Sequence, residues 1–277
     1  MTLLVPTDFS KASRAAVFYA IALARKLNAD IQLLHIVQAN PSTETLMKWK
    51  RLEEEMIRIA REDADALMAD IQKSIRGKKP PISFHLKQGY DFTTLINRFA
   101  EELDADMIIM GTTGATGLKR VLLGSNAAAL INEATVPVVA VPASAQYKPV
   151  KRIAYASDLK HTEEEIKTIA LFAQLLKAHI DVIHVTQKKS ADLPDAKAMA
   201  KELQTMARYK KVTFHIVKSG NVARAIDAYI RKHKADMLAT FTHKLDFFEK
   251  LFGKGITRKL AYHIRVPMLA FNKSTLK

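Results

Sequence analysis

The chain has 277 residues, 48% hydrophobic and 26% charged, with a formal net charge of +15 and no cysteine. That length suits two domains of about 100–200 residues each, and the lack of cysteine excludes disulfides and thiolate metal sites. No stretch approaches the ~18 apolar residues of a membrane span and the N-terminal MTLLVPTDFS lacks a signal-peptide pattern, so a soluble, cytoplasmic protein without a membrane partner is expected.

In chain order, short β-branched runs alternate with helical ones. Strands are expected near 2–5, 31–37, 82–87, 106–110 and 137–141, and helices near 11–28, 43–76, 92–103 and 125–134. Ser10 is placed to cap the first helix. Leu46, Trp49, Leu52, Met56, Ile59, Leu67, Ile71 and Ile75 follow one helical face, with a gap at Asp63. Ala145–Pro149 reads as a linker.

The same order then recurs. Leu3–Ser10 matches Ile153–Lys160, placing Asp8 over Asp158, and Leu27–Val37 matches Leu176–Thr186, placing His35 over His184. Phe84-His85 falls over Phe214-His215, Ala105–Met107 over Ala235–Met237, and VPVVAV at Val136 over VPMLAF at Val266. Between the second and third strands the repeat loses 19 residues from the long helix, which shrinks to a version around Leu193–Tyr209. Thr162 with Glu165 has the capping-box spacing at the start of the fifth helix. The chain is therefore expected to be two tandem α/β domains, 1–144 and 150–277, each a doubly wound, five-stranded parallel sheet flanked by helices. Ligands of such sheets sit beyond the carboxyl ends of the strands, where strand order reverses.

Four of the nine glycines (Gly111, Gly114, Gly117, Gly124) lie in GTTGATGLKRVLLGSNA, between a strand and a helix. Neither the P-loop nor the dinucleotide fingerprint is present. Exposed backbone N–H groups at Gly111 and Gly114, and a helix opening at Gly124-Ser125, nevertheless suit an anion. A helix cap with a surface turn explains the glycines equally well.

The spacing G-x2-G-x9-G-S after an apolar strand, followed by VPVVAVP, resembles the nucleotide signature of the universal stress protein family. LLVPTDFSKASRAAVFYA and LLHIV resemble the same family in the same order, so the likeness covers the chain as two tandem domains. It implies strand order 3-2-1-4-5 and an adenine nucleotide, ATP or another, with Mg2+. Carried over residue by residue, Asp8 would lie by the nucleoside with Pro6 and Thr7 shaping that edge, and Val37 would pack on adenine. Gly111 would face the ribose, Thr113 and Gly114 would lead to the phosphates, and Gly124, Ser125 and Asn126 would bind phosphate oxygens. No catalytic residue and no protein metal ligand is assigned. The resemblance also implies pairing of the two last strands within the chain, and regulation of a protein partner under stress.

The second half departs from the signature. Gly111 aligns with Thr240, Gly114 with His243, Gly124 with Gly253 within a residue, and Ser125 with Lys254, so its site reads as degenerate. Phe247–Phe252 reads as core packing. His35 and His184 read as structural, and Glu53–Glu55 and Glu163–Glu165 as solvated helix faces or first-turn charges.

Charge divides unevenly, with 17 Lys+Arg and 16 Asp+Glu in residues 1–145 against 26 and 12 in the remainder. Lys188-Lys189, Lys210-Lys211, Arg231-Lys232 and Arg258-Lys259 sit on different elements without interleaved aromatics. They read as solvated surface, and nucleic acid is not expected as a partner. The rivals to an ATP-binding regulator are a slow ATPase or phosphotransferase, and a nucleotide-independent binder of an acidic partner or nucleic acid through the basic half.

Overall fold

The computed structural model describes residues 1–37, 46–112, 124–187, 193–242 and 266–272. Thr113, Gly114, His243, Phe247–Phe252 and Lys254 lie outside them. The chain divides into two compact units between Tyr147 and Lys148.

The first unit contains β1 (Thr2–Pro6), α1 (Lys11–Leu27), β2 (Asp30–Val37), α2 (Leu46–Ser74), β3 (Ile82–Gln88), α3 (Phe92–Glu102), β4 (Met107–Gly111), α4 (Ser125–Glu133) and β5 (Val138–Val141). Its strands are parallel in the order β3-β2-β1-β4-β5. The second contains β6 (Arg152–Ala156), α5 (Thr162–Leu176), β7 (His179–Thr186), α6 (Ala196–Ala207), β8 (Val212–Lys218), α7 (Val222–His233), β9 (Met237–Thr242) and β10 (Met268–Asn272). Its order is β8-β7-β6-β9-β10, again parallel. The same winding, 3-2-1-4-5, is thus used twice.

Burial explains why these runs become strands. β1, β4 and β6 are almost wholly buried, as central parallel strands covered on both faces must be. Edge strand β3 is half-exposed and carries Ser83, Lys87 and Gln88. Ser10 caps α1, its hydroxyl accepting from Ser13 N–H, and Asn28 closes the helix in the left-handed conformation at φ 52°. Asp91, Asp195 and Asn221 cap α3, α6 and α7 in the same way.

Two expectations are corrected. The capping box at Thr162 does not form. His161 precedes the helix without a side-chain capping bond, and Glu165 points inward, buried, where its carboxylate accepts from the Tyr155 hydroxyl. Glu165 is therefore not a solvated first-turn charge. Burial, and then the adjacent Glu165 carboxylate, push the Tyr155 hydroxyl well above its ordinary pKa, so it stays protonated as the donor.

The second correction concerns the glycine alignment. Ile108 N–H donates to Pro137 O as Leu238 N–H donates to Pro267 O, and Gly111 pairs with Val141 as Phe241 pairs with Phe271. The counterpart of Gly111 is therefore Phe241, not Thr240, which matches Met110. A one-residue shift in a strand moves a side chain to the opposite face, so it changes what fills the site.

Candidate functional site

In the first unit the chain leaves β1 toward β2 on one side and returns through β4 on the other. The reversal lies between β1 and β4, and Thr7-Asp8 and Gly111-Thr112 flank it. Neighbouring strands are ~4.8 Å apart, which brings the two loops to one crevice. The structure thus gathers Pro6, Thr7, Asp8, Gly111, Gly124, Ser125 and Asn126 around one strand end.

The turn after β1 is built by its own side chains. Phe9 sits at φ 59°, its N–H donating to Thr7 Oγ1 at 3.1 Å, and Ser10 N–H donates to Asp8 Oδ1 at 3.1 Å. The second unit repeats this with Leu159 at φ 64°, Ser157 Oγ and Asp158 Oδ1. Asp8 therefore has a turn-forming role independent of any ligand. His35 Nδ1 lies 2.7 Å from Thr7 O and His184 Nδ1 3.1 Å from Ser157 O. A carbonyl only accepts, so Nδ1 carries the proton, and both imidazoles brace the turn as structural groups.

Ser13, which the sequence reading missed, belongs to this corner. Its buried hydroxyl lies 3.1 Å from Thr7 Oγ1 and donates to Ser10 O at 3.1 Å. Its position three residues after the cap was the available signal. Beside it, a Cβ placed on Gly111 would stand 2.8 Å from both the carbonyl carbon and oxygen of Ala12. Gly111 lets the first turn of α1 rest on the end of β4, so close packing already requires it. Pro6 and Val37 are buried, and Val37 O accepts from Gly89 N–H.

Thr112 and Gly124 close the far side. Gly124 N–H donates to Thr112 O at 2.6 Å, pinning together the two ends of the segment that holds Thr113 and Gly114. Gly124 opens α4 without a side-chain capping bond, and Ser125 and Asn126 are exposed in its first turn. The first N–H groups of a helix have no partner within it and carry its positive dipole end. Neither α1 nor α4 has an acidic residue in its first turn. Thr112 Oγ1 is buried and has no hydrogen-bond partner among the described residues. Uncapped N–H donors, a positive dipole end and an unused buried hydroxyl fit a phosphate group with a polar neighbour. No cluster of three His, Asp or Glu arranged for a metal occurs among the described residues, so a divalent cation here would be held through the phosphates.

The second unit keeps the turn but differs at the strand ends and at the start of its first helix. Phe241 stands at the place of Gly111, stacked on Phe271 at 4.8 Å between centroids and edge-on to Tyr155 at 5.8 Å. Tyr155 replaces Val5, and Glu165, counted from the helix C-caps, replaces Ala16. The first turn of α5 carries Glu163, Glu164 and Glu165. Aromatic rings occupy the strand ends, and the acidic first turn of α5 takes the place of the carboxylate-free one of α1.

With this geometry in place, comparison with known proteins is informative. The sequence profile described as the universal stress protein family matches residues 1–142 and 149–272. A universal stress protein of Methanocaldococcus jannaschii is 30% identical over 141 residues, half of this chain and 80% of that protein. One of Mycolicibacterium smegmatis is 32% identical over 146 residues, half of this chain and 47% of the relative. A universal stress protein structure from Archaeoglobus fulgidus superimposes with a TM-score of 0.67 at 20% identity, covering 98% of each chain, which shows a shared fold. The chain thus belongs to the universal stress protein family, with two family units in tandem.

Proposed function

We propose that the first unit binds an adenine nucleotide, ATP in the first instance, across the β1–β4 crevice, and that the nucleotide regulates a protein partner without appreciable turnover. The observation that carries this reading is the contrast between the two strand-end sites. One joins two carboxylate-free helix N-termini to an uncapped Gly124-Ser125-Asn126 turn, and the other holds Phe241 and three glutamates. In this reading the α4 N–H groups and the Ser125 and Asn126 side chains hold phosphate oxygens, with Thr113 and Gly114 completing the turn. Asp8 and Pro6-Thr7 border the nucleoside, Val37 backs the adenine edge, and Mg2+ rides on the phosphates. The second unit serves as a ligand-free counterpart.

Thermal unfolding with and without Mg-ATP tests it. A ligand at about 100 times its Kd adds roughly 2.7 kcal/mol to the unit that binds it. Ser125→Asp separates binding from folding, because a carboxylate in the first turn of α4 stabilises the helix by about 0.3–1 kcal/mol yet repels phosphate. The expected result is an unfolding midpoint no lower than the parent's without nucleotide, and loss of most of the Mg-ATP shift. An undiminished shift in Ser125→Asp refutes the assignment.

A further inference from the structure

Six lysines of the second half gather once the chain folds, while Lys188-Lys189 and Arg258-Lys259 lie outside the described residues. Four strand starts stand side by side in the order β9-β6-β7-β8. Lys151 precedes β6, Lys177 precedes β7, Lys210 and Lys211 precede β8, and Lys232 and Lys234 precede β9, all exposed. At ~4.8 Å per strand they form a band roughly 15 Å long on the edge opposite the helix N-termini. Among the described residues none of these six lysines pairs with a carboxylate. The nearby acids are committed elsewhere, Asp181 to Arg152, Asp227 to Arg231, and Asp236 to the N–H groups of Lys151 and Arg152.

A plainer account is that cations suit helix C-termini, since Lys177 and Lys234 are the left-handed C-caps of α5 and α7. At α7 the first unit shows that the fold does not require this, although α1 keeps Arg25 and Lys26 in its last turn where α5 ends on Lys177. Its residues at the places of Arg231, Lys232 and Lys234 are Glu101, Glu102 and Asp104, and Asn28 stands for Lys177. Asp106 and Asp236, which do serve the fold by accepting backbone N–H bonds, are acidic in both units. At the end of the helix before β9 the charge is reversed while the fold-serving aspartate is kept.

We propose that this edge of the second unit binds the phosphate backbone of double-stranded nucleic acid without sequence preference. Single strands are disfavoured because the nearby rings are engaged. Tyr229 is buried and stacks on His233 at 4.0 Å, and Tyr209 is half-buried with its hydroxyl donating to Ala178 O at 2.6 Å, so neither projects as a stacking platform. An anionic bilayer would need apolar anchors in the plane of the lysines. Among the described residues only Leu175, in the last turn of α5 two residues before Lys177, is a large exposed hydrophobic near the band, and Leu171 lies a further turn up the helix, so a bilayer would find a single apolar anchor.

The test is anisotropy of a labelled 20-base-pair DNA duplex with the full-length protein at 50 and 200 mM salt, beside vesicles containing phosphatidylserine. Engagement of about five phosphates gives a log–log salt slope near −4.5 and a loss of several hundredfold in affinity between the two salts. The variant Lys177→Asn, Lys232→Glu, Lys234→Asp gives the edge the first unit's own residues, so the fold has a precedent for tolerating it. It should flatten the slope by about 3 and weaken duplex binding at 50 mM salt more than tenfold, with an unchanged far-UV circular dichroism spectrum. Absence of duplex binding at 50 mM salt overturns the proposal. So does binding that the triple variant retains, and so does lysine-dependent vesicle binding without duplex binding.

Discussion

Gly111→Ala distinguishes packing from ligand contact as the reason for the first glycine of the motif. The added methyl would lie 2.8 Å from the backbone carbonyl of Ala12 and 3.1 Å from Ser13 N. Carbon–carbon contacts are comfortable at about 3.5–4.0 Å, so α1 must retreat from β4 by roughly 0.7–1 Å. The obstructing atoms are backbone of a helix whose Ala16, Val17 and Ala20 are fully buried. No rotamer change can relieve the clash, and overpacking of this kind costs about 1–3 kcal/mol. At about 2–4 °C per kcal/mol for a unit of this size, the first unit's midpoint should fall by roughly 2–12 °C with no nucleotide present. Differential scanning calorimetry of the protein without nucleotide reads that midpoint. An unchanged midpoint in the absence of nucleotide, together with weakened Mg-ATP binding, would refute the packing argument.

Two further predictions concern the polar cluster beneath α7. Asp181 is fully buried and accepts from Arg152 Nη1 at 2.7 Å and from Thr213 Oγ1 at 3.0 Å. Asp181→Asn should destabilise the second unit by about 3 kcal/mol in urea unfolding, the low end for a broken buried pair because Arg152 keeps some water. The double change Arg152→Thr, Asp181→Gln installs the first unit's Thr2 and Gln32 and should recover most of that loss. Burial, opposed by Asp181, lowers the pKa of both His179 and His215 below the usual 6.5. Depressed histidines are more protonated in the unfolded chain, so stability rises with pH through this window and is lost as pH falls below about 6.5. His215→Gln should reduce the slope of unfolding midpoint against pH between 6.5 and 5, and an identical slope would refute the role.

Much of the fold was legible because the repeat doubled every signal. Alternating β-branched and helical runs, Ser10 as a cap and the matched histidines all rested on local pattern, which short parallel strands and capped helices preserve. The failures were of register and burial. Gly111 was matched to Thr240 because the glycines of the loop suggested an offset of 129, whereas Ala105–Met107 over Ala235–Met237 already fixed 130. Strand pairing decides such a choice, since one residue exchanges the two faces of the sheet. Thr162 and Glu165 satisfied the spacing of a capping box, but spacing does not reveal that a tyrosine has replaced Val5 beneath the helix and draws the carboxylate inward. The basic pairs looked scattered because they are distant in sequence. Only parallel winding, which puts every strand start on one edge, collects Lys151, Lys177, Lys210 and Lys232.

Because the chain contains its fold twice, each unit serves as a control for the other. What both retain under different surroundings belongs to folding: the Asp8 and Asp158 turns, the His35 and His184 braces, and the Asp106 and Asp236 acceptors. This lowers the weight Asp8 carries as a ligand residue, since Asp158 performs the same turn where Phe241 and Phe271 fill the strand ends. The differences fall at opposite edges. At the carboxyl ends of the strands, Val5, Ala16 and Gly111 become Tyr155, Glu165 and Phe241, a matched set in which rings occupy the space vacated by small residues and a buried carboxylate accepts from the new hydroxyl. At the amino ends, Glu101, Glu102 and Asp104 become Arg231, Lys232 and Lys234. A unit that had merely lost a site would be expected to vary at its strand ends without acquiring an organised charge elsewhere. The second unit shows both: rings and a buried carboxylate stand at its strand ends where the first unit offers the proposed phosphate site, and lysines gather at the opposite edge of its strands.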